Sequence, residues 1–183
     1  MDKDAMAKII DGIPKSRGRK MWEVLYDFGN HYASSANNIL SVILKDPDFI
    51  APMLMCRFFS VELMLKFFLV VDHRSVSNEV GLKAVGVELH GHKYTPLFDK
   101  INSKYKRAIA ESFSAISGKS TSEAEFRSLL SQFENGFVKW RYIYEEAENP
   151  SFVDLQALQN VNDALGKCAE EQARRWGHIP PAR

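Results

Sequence analysis

The chain has 183 residues, 45% hydrophobic and 26% charged, which excludes a disordered chain and suits one domain with a sizeable core. Lys and Arg number 24 against 23 Asp and Glu, a formal net charge of +1, so a global field that draws in nucleic acid or an anionic membrane is excluded and only a local patch is open. Two cysteines, Cys56 and Cys168, exclude a disulfide scaffold and read as reduced structural thiols.

The N-terminal stretch has no apolar run of the signal-peptide kind, so a cytoplasmic protein is expected. Residues 1–19 read as a basic arm. Gly12, Pro14 and Gly18 break any pattern, and Lys15, Arg17, Arg19 and Lys20 form a basic run, either a solvated leader or a phosphate-contacting arm. From about Lys20 to Ile43, Trp22, Leu25, Phe28, Tyr32, Ala36, Ile39 and Ile43 recur at helical spacing and predict an amphipathic helix. Asp46-Pro47 marks a break and offers a cap for the next helix. Residues 48–71 are the most apolar part of the chain. Arg57, Glu62 and Lys66 within it argue against a membrane span and for a central buried helix.

Residues 72–91, with Gly81, Gly86 and Gly91, read as a long connection holding a short turn or hairpin. A helix is predicted from His92 to about Ile116, ended by Ser117-Gly118. Ser122 with Glu125 forms a capping box for a helix over 121–147, whose stripe includes Phe126, Leu130, Phe133, Phe137, Trp140 and Tyr144. Asn149 as N-cap and Pro150 at the first turn predict a last helix over 150–176, closed by Gly177. The expected fold is all-α, an up-and-down antiparallel bundle of about five helices over 20–176, with a tail over 177–183.

Two motifs are decoys. Ser117-Gly118-Lys119-Ser120 resembles the end of a phosphate-binding loop, but Phe113 stands where that loop needs glycine and a helix precedes it. His90-Gly91-His92 has the alternation of a metal pair, with no further ligand at a recognisable spacing, so no metal or cofactor is expected. The informative pair is Glu62 and Lys66, four apart on one face of an apolar helix. Charges are seldom buried unless paired, so they form either an ion pair emerging at the surface or part of a polar pocket. Other helices have contributors to offer. His92 opens its helix, and Arg141, Tyr144 and Glu145 lie late in theirs, an arginine fork for phosphate or carboxylate beside a ring for stacking a base.

Glu62-x-x-x-Lys66 in VELMLKFFLV, then GHKYTPLFDKI at 91–101, then WRYIYEE at 140–146, resembles the HEPN superfamily, a nucleotide-binding domain of higher eukaryotes and prokaryotes. The resemblance spans about residues 54–146 and implies an up-and-down helix bundle, commonly a homodimer. It also implies association with a nucleotide, RNA or a nucleotidyltransferase-like partner protein, as in toxin–antitoxin or phage-defence systems. The ribonuclease branch resembles Arg-x4–6-His. Here Arg174 and His178 stand closer than that and straddle Gly177, so the resemblance does not supply the nuclease site. The expected function is a non-catalytic binding module in which Glu62, Lys66, His92, Arg141, Tyr144 and Glu145 line a polar cleft. The alternatives are a divergent metal-independent ribonuclease using His92 and Arg141, and a homodimerisation domain without ligand.

Overall fold

A computed structural model describes residues 18–43, 45–134, 136–141 and 153–179. Among these the regular structure is helical, with no strand. Helix α1 (Met21–Ile43) is followed by a 3-10 turn (Pro47–Phe49) and α2 (Ile50–Val70). Then come α3 (Glu79–Ala84), α4 (Tyr94–Lys100), α5 (Ser103–Ser117), α6 (Glu123–Gln132), α7 (Gly136–Arg141) and α8 (Leu155–Arg175).

Helix α2 is the centre. It packs against α1, α4, α7 and α8, and its buried residues run from Met53 to Val70 around most of its circumference. A helix apolar on nearly every side stays in place when its neighbours cover most of it, and here they leave a half-buried stripe through Met55, Phe59 and Leu63. The chain breaks at Asp46-Pro47 as expected, but the Asp46 side chain, accepting the Asp48 N–H at 3.2 Å, caps the 3-10 turn, and α2 itself starts after Phe49 with no side-chain cap. On α1, Trp22, Leu25, Tyr26 and Ala36 face inward. The Ser60 hydroxyl of α2 donates to the Gly29 carbonyl of α1 at 2.7 Å, so the helix pair is hydrogen-bonded as well as packed.

Helix boundaries depart from the sequence reading in four places. The expected five helices become more, because the segment read as one helix over 92–116 is two, α4 and α5. Ile101 between them is extended (ψ 142°) and buried, and Asn102 caps α5 by accepting the Lys104 N–H at 3.1 Å. The apolar period runs through this break because Ile101 is a core residue on either reading. The helix expected over 121–147 likewise stops at Gln132, and Gly136 starts α7. A Cβ at Gly136 would lie 2.5 Å from the Phe58 ring, so glycine lets α7 approach α2 here. Helix α8 begins at Leu155 with Asp154, not Asn149, as N-cap; Asp154 accepts the Ala157 N–H at 2.9 Å. The connection over 72–91 contains α3, capped by Asn78, in place of a hairpin.

Other expected signals stand. The Ser122–Glu125 capping box is complete, and Gly118 closes α5. At the end of α8, the Gly177 N–H donates to the Arg174 carbonyl and the His178 N–H to the Ala173 carbonyl, both at 3.0 Å, a Schellman closure. The chain then returns to α1: His178 Nε2 lies 3.1 Å from Asp27, and Ile179 packs against the core. Two basic residues near the start are also tied down. Arg19 pairs with Asp27, and the Lys20 N–H donates to the Glu23 carboxylate at 2.8 Å. Lys15 and Arg17 lie outside the described residues.

Both thiols are free. Cys168 is buried and its thiol is pushed up by burial to about 11, so it stays protonated and unreactive at neutral pH. Burial also raises the Cys56 thiol. Among the described residues no helix is long and apolar enough to cross a membrane.

Candidate functional site

Glu62 is 1% exposed, on the face of α2 that α4 covers. Its carboxylate is satisfied from two elements. Lys66 Nζ, one turn along α2, donates to Oε1 at 2.7 Å, and His92 Nδ1, just before α4, lies 3.0 Å from Oε1 and 3.1 Å from Oε2. A carboxylate only accepts, so the proton of this contact sits on His92 Nδ1 and the ring presents Nε2 as its other nitrogen. The Lys66 side chain is 13% exposed and the His92 side chain 70% exposed. The cluster therefore runs from a buried acid outward to a solvent-facing imidazole.

The local chain explains why His92 arrives there. Gly91 has φ 97°, in the left-handed region that glycine favours, and it turns the chain immediately before His92. Two further contacts anchor α4. The Tyr94 hydroxyl, fully buried, donates to the Phe58 carbonyl at 2.7 Å. Burial first, and the nearby Glu62 charge second, hold the Tyr94 phenol well above its usual range, so it remains a donor. The Thr95 N–H donates to the Glu134 carboxylate at 2.9 Å, and the Thr95 hydroxyl bonds to the same oxygen. Glu134, just after α6, thus satisfies an amide in the first turn of α4 that the helix itself leaves free. Sequence reading missed Tyr94, Thr95 and Glu134 as supports. The available signal was the cluster Tyr94-Thr95 directly after His92.

Of the residues expected at the site, the structure brings together Glu62, Lys66 and His92. Arg141 ends α7, which packs against α2, but its side chain, Tyr144 and Glu145 lie outside the described residues. His90 and His92 point to different partners: His90 lies 3.4 Å from Glu79. The pair Arg174 and His178 is committed elsewhere, with Arg174 Nε on Glu170 at 3.0 Å and His178 on Asp27.

Glu62, Lys66 and Leu69 share one face of α2, and His73 follows three residues after its end. Leu69 and His73 line a cavity of about 640 Å³, whose walls also carry Asp72, Lys83, Glu88 and Lys100. This hollow carries charges of both signs, and Leu69, one turn along from Lys66, is on its wall. At its edge Asp72 accepts from Lys104 Nζ and the Tyr105 hydroxyl, each at 2.8 Å.

No family model, curated protein or solved structure matches this chain. The chemistry of the site consequently rests on its own residues.

Proposed function

We propose that this chain is a HEPN-like binding module without catalytic turnover, which takes the phosphate of a nucleotide or of RNA at the face shared by Glu62, Lys66 and His92. The observation that carries this reading is the buried Glu62 carboxylate, bound at once by Lys66 and by a His92 that is 70% exposed. An acid buried in an apolar helix stabilises little by itself. As an anchor it orients an exposed imidazole, which the fold alone does not require. His92 Nε2 is then a positioned donor toward an anion when the ring is protonated. Lys83 and Lys100 in the adjoining hollow add positive charge for phosphate, and the order of motifs resembles HEPN proteins.

The test is direct binding of labelled mononucleotides and short RNAs to the purified protein, its His92→Ala variant and its Arg141→Ala variant. Binding should weaken at least tenfold in His92→Ala and should fall with added salt, because charge pairing carries it. RNA should be recovered intact. Unchanged affinity in both variants would overturn the reading.

A second reading rests on the same carboxylate–imidazole contact. A histidine whose Nδ1–H is held by a carboxylate has its Nε2 set for general acid–base work. RNA cleavage by the parent that His92→Ala abolishes would replace the binding module with a metal-independent ribonuclease. Absence of both binding and cleavage would leave a homodimerisation domain. For that role the apolar hollow of about 460 Å³ between Tyr32, Pro52, Met55, Phe59 and Phe137 is the face for a second copy.

A further inference from the structure

The geometry points to a second site, a pocket for a small carboxylate with an apolar body, built around Arg57. Arg57 is 3% exposed, yet among the described residues no carboxylate pairs with it. Its partners are neutral: Nη2 donates to Asn37 Oδ1 at 2.8 Å and Nη1 to Asn162 Oδ1 at 3.3 Å. Buried cations are almost always paired with an anion, so a guanidinium whose partners among the described residues are two amide oxygens, with the Asp163 charge acting on it without a bond, is an exception that needs a cause. The nearest acid along α8, Asp163, is exposed and accepts from Gln159 Nε2 at 2.7 and 2.8 Å.

The guanidinium is held firmly where it is. Asn162 Nδ2 donates to the Ser60 hydroxyl at 2.7 Å, and that hydroxyl donates to the Gly29 carbonyl. This chain of bonds fixes the amide of Asn162 with its oxygen toward Arg57. Among the described residues two of the five guanidinium N–H groups are used, which leaves donors for a planar partner.

Arg57 forms part of the wall of a pocket of about 200 Å³ between α1, α2 and the start of α8. The other walls are Leu40, Met53, Leu54, Leu155 and Leu158, with Gln156 and Gln159. Leu40 and Leu155, 45% and 42% exposed, are large apolar side chains left open to solvent here. A pocket of this size holds a short-chain molecule. One charged fork in an otherwise apolar hollow matches a carboxylate with a short hydrocarbon tail. It does not match phosphate, because Arg57 is the one charged residue among those lining the pocket and most of the wall is apolar. The pocket is separate from the Glu62 cluster: Arg57 and Glu62 are five residues apart on α2 and point to different neighbours.

The experiment is calorimetric titration of the purified protein with pentanoate, with pentanamide as the uncharged isostere and with inorganic phosphate. The parent should bind pentanoate, and should bind pentanamide and phosphate at least tenfold more weakly. Arg57→Met should lose pentanoate binding. Because that change alters the core, a second pair of variants leaves Arg57 in place. Leu155→Glu brings an internal carboxylate to the pocket and should abolish pentanoate binding, whereas Leu155→Gln should retain it within a few-fold. Absence of pentanoate binding by the parent, equal binding of the amide, or preference for phosphate would each overturn the proposal.

Discussion

The Glu62 carboxylate is buried in the central helix, where Lys66 matches its charge and His92 adds a hydrogen bond. Removing Lys66 leaves the acid with a single partner, so Lys66→Met should cost about 1–3 kcal/mol of stability in urea unfolding. Glu62→Gln combined with Lys66→Met should recover part of that loss, and a double variant equal to the sum of the singles would contradict the pairing. This pair was readable in the sequence because a charge on an apolar helix stands out. Arg57 stands out in the same way, yet its partners Asn37 and Asn162 lie 20 and 105 residues away in the chain, beyond any local spacing rule. Asp72 offers a residue-scale test with pH. Burial alone would raise its carboxyl, but bonds from Lys104 and Tyr105 outweigh this and hold it below its usual value. Asp99 is lowered chiefly by the hydrogen bond from Arg127. A lowered folded-state pKa gives stability that is full above the unfolded value of about 4 and is lost as pH falls through the folded one. Asp72→Asn and Asp99→Asn should therefore each show a shallower loss of stability than the parent between about pH 5 and pH 2, read from urea midpoints.

Among the elements, those with both an apolar period and an end signal were the legible ones. Helix α1, helix α2, the capping box of α6 and the Gly177 closure of α8 follow that pattern. The breaks inside 92–116 and 121–147 were hidden because core residues continue through them. Ile101 and Phe133 are buried where the chain turns, so apolar spacing has no way to mark the turn. The start of α8 was missed because Asn149-Pro150 and Asp154 are both competent signals, and only packing chooses between them. Helix α7 depends on Gly136. Gly136→Ala would press a methyl group into the Phe58 ring, and should destabilise by about 1–3 kcal/mol. Phe58→Leu should relieve part of that cost, and calorimetric unfolding of the single and double variants decides it. A neutral Gly136→Ala would contradict the close approach.

At the level of the molecule, α2 is both the core and the carrier of the proposed function. It carries Glu62 toward α4, Leu69 on the wall of the 640 Å³ cavity, and Arg57 at the small pocket beside α1 and α8. A homodimer belongs to the proposed HEPN-like reading. If the hollow at Met55 and Phe59 is its seam, Met55→Glu should convert a dimer into a monomer in light-scattering chromatography, with helicity unchanged. The central claim is that Glu62 holds His92 by Nδ1 and so presents Nε2 to an incoming phosphate. Long-range nitrogen NMR of the His92 ring, recorded with and without a mononucleotide, tests it most directly. The expected result is a proton on Nδ1 in the free protein, loss of that preference in Glu62→Gln, and a shift of Nε2 as nucleotide is added. A proton residing on Nε2 in the free protein, or an Nε2 signal indifferent to nucleotide at saturating concentration, would contradict it.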